Sequence, residues 1–369
     1  MMNFFKGTLV CEQMDSTGGR STGFDYLRFS LAVSVILYHT VVTSYGDDAQ
    51  THLIHSEFGF LVGAILPMFF SLSGFLVAGS LMRSKTIGVF LGFRILRIFP
   101  ALAVDTLFCA LILGPLLTTI ALHDYFFHSE FRSYFLNMIG DIHYTLPGVF
   151  VNTPCHLVNG QLWTIPIELE CYITLTVLAL FSFHHHRRIM LVACSIFLVA
   201  LEGRVLLGLT SPWAGRTLLL CFLCGVVCFL FRDKVRLSIP LFGVAIIASY
   251  FCLQFKSLTY LSSLPLTYVT VYLGLLNPKK SKFLNSGDYS YGLFLYGFPL
   301  QQALVTLVPA IREWYWNAAL AIPVALAFSV GSWHLVEKRV LARKPLLSDL
   351  LTRMETLIKS SINALFPAI

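Results

Sequence analysis

The chain has 369 residues, of which 56% are hydrophobic and only 12% charged, with a mean hydropathy of +0.75. Soluble domains carry about 25% charged residues, so this composition excludes a soluble globular protein and implies a polytopic membrane protein, all-α in class. The net charge of +7 does not point to nucleic acid, because the basic residues sit in short stretches between apolar runs.

Apolar runs of about 20 residues fall at 24–45, 58–81, 95–121, 162–183, 188–208, 215–232, 237–255, 258–276, 288–309 and 314–336, which predicts a bundle of about ten transmembrane helices. With a cytoplasmic N-terminus, only Arg132, Arg204, Arg216, Lys256 and Arg312 of the 26 Lys and Arg fall on the outer side. That asymmetry obeys the positive-inside rule and predicts that both termini are cytoplasmic. The division is then a cytoplasmic tail 1–23, a transmembrane domain 24–336 and a cytoplasmic tail 337–369. Residues 1–23 hold Glu12 and Asp15 and lack the basic-then-apolar order of a signal peptide.

The first span, GFDYLRFSLAVSVILYHTVV (23–42), carries Asp25, Arg28 and His39. Ionisable groups in a membrane segment survive mainly where they face a bundle interior or a cavity. Arg28 and His39 are three helical turns apart, hence on one face and roughly 16 Å apart along the axis. A buried cation and a buried imidazole so spaced suit a long anionic ligand that reaches a reactive centre. In the second span, PMFFSLSGFLVAGSL (67–81), small residues including Ser71, Ser73, Gly74 and Gly79 permit close helix approach or cavity lining. No GxSxG elbow is present to make either serine a nucleophile.

The third span opens with FRILRIFP (93–100). Arg94 and Arg97 are three apart, on one face, and level with Arg28 at the cytoplasmic side. Three guanidiniums at one depth can clamp phosphates; the alternative is snorkelling anchors. The long outer segment 122–161, rich in aromatics with His123, His128, His143 and His156, is expected to hold short helices and to meet an acceptor. The next span contains NGQLWTIPIELECYI (159–173). Counted from the outer end, Glu168 lies roughly 9 Å down, as does His39, so Glu168 is expected to orient the imidazole. Glu170 points about 200° away from it.

Later segments read more plainly. HHHRR (184–188) is a solvated basic turn, with no metal site expected, and Cys221, Cys224 and Cys228 form a packing stripe on one helix. Asp288 or Ser290 is expected to cap the ninth helix, and Glu337 to make a surface ion pair. The tail 346–369 is amphipathic and is expected to lie on the inner membrane surface. Asp25, Ser71, Ser73, Trp163 and Tyr291 are expected to line the central cavity.

Arg28 with His39 after ten intervening positions, FFSLSGFL (69–76), RILRIFP (94–100), LWTIPIELECY (162–172), DYSYGLFLYGFP (288–299) and HLVEKR (334–339) together resemble the acyltransferase-3 family of integral membrane O-acyltransferases, from about residue 22 to 340. The resemblance implies transfer of an acyl group, usually acetyl from acetyl-CoA, to a hydroxyl of a carbohydrate such as a surface polysaccharide, exopolysaccharide or lipid-linked glycan. His39 would be the catalytic histidine, assisted by Glu168, and Arg28, Arg94 and Arg97 would bind the donor. No bound cofactor is implied; the partners are acyl-CoA, a carbohydrate or glycolipid acceptor and membrane lipid, in a bacterial inner membrane. Some relatives carry a His near the position of Gly297 and some a C-terminal esterase-like domain; this sequence has neither. The alternative from the same buried groups is a proton-coupled transporter or flippase, with His39 and Glu168 as the relay.

Overall fold

The structure, a computed structural model, describes residues 7–19, 21–182 and 184–365. The parts of the expected tails at 1–6 and 366–369 therefore lie outside the described residues. Each of the ten predicted spans coincides with a helix: α1 (Gly23–Tyr45), α2 (Gly59–Arg83), α3 (Ile87–Phe108), α4 (Thr164–Leu180), α5 (Arg187–Leu206), α6 (Ala214–Leu230), α7 (Ile239–Gln254), α8 (Ser263–Leu275), α9 (Ser290–Leu307) and α10 (Trp314–Ser332). A final helix, α11 (Lys344–Leu365), follows.

Six stretches of helix, Gly23–Tyr45, Gly59–Arg83, Ile87–Leu117, Gly160–Leu180, Arg187–Leu206 and Trp314–Leu357, are long and apolar enough to cross a membrane. Helices α6, α7 and α8 are apolar but shorter. The 13 residues of α8 rise only about 20 Å, against a hydrocarbon core of about 30 Å. The chain is thus a multi-pass, all-helical membrane protein. The only strands among the described residues are the pairs Thr8–Leu9 and Arg236–Leu237, which fasten the N-terminal segment to the turn before α7.

The tightest helix contact joins α2 and α6. A Cβ placed on Gly74 would lie 1.9 Å from the Phe222 carbonyl oxygen, and one on Gly225 would lie 2.2 Å from that of Ser71. Only glycine allows the two backbones this close. Ser71, which reads from sequence as a small residue at a helix interface, bonds the Thr267 hydroxyl at 2.9 Å and so joins α2 to α8.

Two helices do not end where hydropathy ends. Past Phe108, α3 passes through a π-helical turn, Cys109–Leu113, before continuing to Leu117. The wide turn is served by Tyr125, whose hydroxyl donates to the Ala110 carbonyl at 2.8 Å. Likewise α10 runs on through a second π turn, Trp333–Glu337, so the chain stays helical across the expected boundary at 337. Glu337, expected at the surface, is buried there because the wide turn rotates it inward, where Ser332 donates to it at 3.2 Å.

The segment 122–161, expected on the outer side, folds into short helices, Leu122–Phe127 and Ser129–Tyr134, with 3-10 turns at Phe135–Ile139 and Gly160–Trp163. It has a core of its own, in which Tyr125, Phe131, Tyr134, Leu146 and Phe150 pack on Cys109 and Ala110 of the first π turn. On the opposite side α11 lies along the start of α3, with Leu347 and Leu351 filling the space above Gly92. These two leucines are half-buried, while Leu346, Leu350, Met354 and Leu357 of the same amphipathic helix stay exposed.

Gly74→Ala or Gly225→Ala should force α2 and α6 apart at a cost of about 1–3 kcal/mol. The detergent-solubilised variant should melt several degrees below the native protein. Gly243→Ala, where nothing lies within 4 Å, should leave the midpoint unchanged.

Candidate active site

Two adjoining cavities hold most of the predicted residues. The larger, about 890 Å³, is lined by His39, Gln161, Trp163, Thr164, Phe294 and Phe298 among others, and by residues of the loops after α1, α5 and α7. The smaller, about 150 Å³, is lined by Arg28, Arg94, Arg97, Ser73, Glu168, Tyr172 and Tyr291. Leu66, Thr164 and Phe294 belong to the walls of both. Because α1 is unbroken between them, Arg28 faces one cavity and His39 the other, as their three-turn spacing requires.

The His39 ring is held edge-on to Phe298, with centroids 5.1 Å apart, and only 9% of the residue is exposed. The main chain beside it is pinned by neighbours: the Thr43 hydroxyl donates to the His39 carbonyl at 2.9 Å, and Gln301 donates to the Ile36 carbonyl at 2.9 Å. Opposite, Gln161 is buried and donates to the Leu295 carbonyl at 2.7 Å.

Glu168 lies in the smaller cavity rather than beside His39. Its carboxylate accepts from the Tyr172 hydroxyl at 2.5 Å, one turn along the same helix. A 3-10 turn, Gly160–Trp163, precedes α4, which starts at Thr164. Among the described residues no hydrogen bond joins them. Glu170, on the other side of α4, pairs with Arg216.

The three arginines meet, but not as an open clamp. Arg28 and Arg97 share Asp288 Oδ2, at 3.3 and 2.8 Å. Arg97 also lies 3.8 Å from Glu337 and 5.5 Å over the Tyr291 ring. Arg94 makes no ion pair among the described residues. It donates to Ser80 at 3.2 Å and stacks 5.8 and 5.9 Å from the Phe90 and Tyr172 rings, with its Nε buried and unpartnered. The capping position of α9 is Tyr289, with no side-chain cap bond, rather than Asp288 or Ser290; Asp288 instead accepts from the Ser290 hydroxyl at 2.6 Å.

Of the other predicted lining residues, Ser73 and Tyr291 face the arginine cavity and Trp163 the His39 cavity. Asp25 lies in a third cavity of about 370 Å³, paired with Lys280 at 2.6 Å. Ser71 is in the walls of none of the three. Sequence reasoning missed a polar cluster between α3 and the 122–161 segment. Asp105, fully buried, accepts from the Asn159 amide at 3.0 Å; that amide also reaches the Tyr134 hydroxyl at 2.7 Å, and Gln161 donates to Asn159 at 3.2 Å. An acid within the apolar run ALAVDTLFCALIL (101–113) was the available signal.

A family model described as an acyltransferase domain matches residues 21–334. The chain belongs to the acyltransferase-3 family. It is therefore an O-acyltransferase of the membrane, which sets the transporter alternative aside. It is 28% identical over 340 residues to an O-acetyl transferase of Shigella phage Sf6, covering 88% of this chain and 97% of that protein. It is 26% identical over 359 residues to nodulation protein 10 of Rhizobium leguminosarum bv. viciae, covering 88% and 94%. No solved structure matches it.

Asn159→Leu should leave the buried Asp105 without its amide donor, at about 1–3 kcal/mol. Thermal unfolding in detergent should show the loss, and an added Asp105→Leu should restore part of it.

Proposed function

We propose that this acyltransferase moves an acetyl group from acetyl-CoA, taken from the cytoplasmic side, to a hydroxyl of a carbohydrate acceptor on the outer side of a bacterial inner membrane. The observation that carries this reading is the adjoining pair of cavities, with arginines in one, His39 in the other and Leu66, Thr164 and Phe294 common to both. The names of the phage O-acetyl transferase and the nodulation protein support O-acylation of a carbohydrate. The arrangement of ten helices with both termini cytoplasmic is part of the same proposal. It is supported by the charge asymmetry of the loops and by the helix found at each apolar run.

In this mechanism the donor phosphates bind among Arg28, Arg94 and Arg97. The pantetheine arm runs past Phe294 and Thr164 and brings the thioester to the edge of the His39 cavity. The acceptor enters the larger cavity, where Trp163 and Phe298 offer faces to a sugar ring. His39 takes the hydroxyl proton as the acceptor oxygen attacks the thioester carbon. The carbon–sulfur bond then breaks, and the proton passes to the departing thiolate, so that an ester and free CoA are formed. An acyl-histidine route through the same residue gives the same products. Glu168 would assist from its place one turn below Thr164, at the junction the thioester must cross.

Label transfer from radioactive acetyl-CoA in membranes tests the reading. Base-labile label should enter a glycan fraction with the native protein and not with His39→Ala; equal labelling by both would overturn the role of His39. Arg94→Ala should raise the KM for acetyl-CoA about tenfold, the loss expected for one charge-assisted hydrogen bond. An unchanged KM would remove Arg94 from the donor site.

A further inference from the structure

Asp288 is placed where a ligand anion would be expected. Its Oδ2 lies between the guanidiniums of Arg28, from α1, and Arg97, from α3, at 3.3 and 2.8 Å. A phosphate oxygen bound by two arginines would occupy the same position. Its Oδ1 is tied to Ser290 at 2.6 Å, so the carboxylate is anchored on one side and shared on the other.

The same residue stands between two cavities. Asp288 and Ser290 line the 370 Å³ cavity, together with Lys280, Trp333 and Lys338. Arg28, Arg97 and again Ser290 line the 150 Å³ cavity that adjoins that of His39. The Asp288–arginine contacts are thus the partition between these two spaces. The charges also balance: Arg28 and Arg97 face Asp288 and Glu337, and Arg94 alone of the three arginines has no ion pair among the described residues. A polyanion gains little from arginines whose charge is already matched, and it cannot enter beside Asp288 without placing two anions on one oxygen's site.

We propose that Asp288 is an internal stand-in for a donor phosphate. In the empty enzyme it holds Arg28 and Arg97 together and keeps the partition closed. A phosphate of the donor displaces it, and the carboxylate turns toward the 370 Å³ cavity, where Lys338 can receive it beside the Lys280–Asp25 pair. After transfer Asp288 reclaims the arginines and expels CoA. The exchange leaves Arg28 and Arg97 paired with an anion before and after, and it weakens donor binding by the contacts that must be broken. This rests on the reading of acyl-CoA as donor.

The test is titration calorimetry of CoA on the purified full-length protein in detergent, with steady-state kinetics on acetyl-CoA. Asp288→Asn keeps the shape and the acceptor oxygen for Ser290 but removes the charge. It should bind CoA at least tenfold more tightly, and lower both the KM for acetyl-CoA and kcat as CoA release slows. Asp288→Glu, which keeps the charge, should stay near the native affinity. Ser290→Ala, which frees the anchor, should tighten CoA about threefold and serves if the Asn variant does not fold. A residue that merely held the helices together would act in the opposite direction, with weaker binding and a higher KM. Native affinity or weaker in both Asp288→Asn and Ser290→Ala would overturn the proposal while leaving the donor reading intact. No CoA binding by the native protein would overturn the donor reading, and this proposal with it.

Discussion

One carboxylate shared by two arginines organises one end of the helical bundle. Asp288 joins Arg28 of α1 to Arg97 of α3 from the turn that starts α9, and Arg97 reaches on to Glu337 at the end of α10. Four helices therefore meet at one compensated cluster. In a low-dielectric interior none of these charges could be kept alone, because the cost of removing an unpaired ion from water is several kcal/mol. Arg28 and His39 stand three turns apart on the same unbroken helix, so the ion cluster and the imidazole are carried by one element.

A second cluster is held by side-chain amides instead of ion pairs. Asn159 links Asp105 to Tyr134, and Gln161 links Asn159 to the Leu295 carbonyl. This chain of bonds ties the outer segment to α3 and α9 and ends in the wall of the His39 cavity. The π turn at Cys109–Leu113 lies one turn beyond Asp105, and it gives the outer segment a place to seat Tyr125. Between the two polar clusters, the α2–α6 contact at Gly74 and Gly225 packs the centre. Small residues do there what polar bonds do at either end, since apolar side chains gain nothing by leaving lipid for one another.

Much of this was legible in the sequence, and the limits are physical. Helical arithmetic along one segment held: the Arg28–His39 spacing and the Arg94–Arg97 pair are properties of a single regular helix, and each faces a cavity. Arithmetic between segments is less informative: Glu168 and His39, counted to one depth, line different cavities. Asp288 and Glu337 read as a cap and a surface residue because both sit at helix ends, where sequence offers a sufficient local explanation. Their actual partners are distant in the chain, Asp288 lying 260 residues from Arg28 and 191 from Arg97. Glu337 was hidden further by a π turn, whose extra residue rotates a side chain that a regular helix would leave outside.

The unequal cavities bear on what each side of the reaction can accept. The space lined by the arginines is about 150 Å³ and that lined by His39 about 890 Å³. Leu66, Thr164 and Phe294 belong to the walls of both spaces, so on the proposed reading the arm of the donor crosses beside them. The broad cavity carries aromatic faces and loop residues from three connections, and loops are the part of a helical bundle that can change without disturbing its packing. On the proposed reading the donor is therefore constrained by the rigid half of the molecule and the acceptor by its adaptable half. Relatives that share the arginine cluster and His39 could then differ in acceptor through the loops alone, with no change to the helices that hold the chemistry.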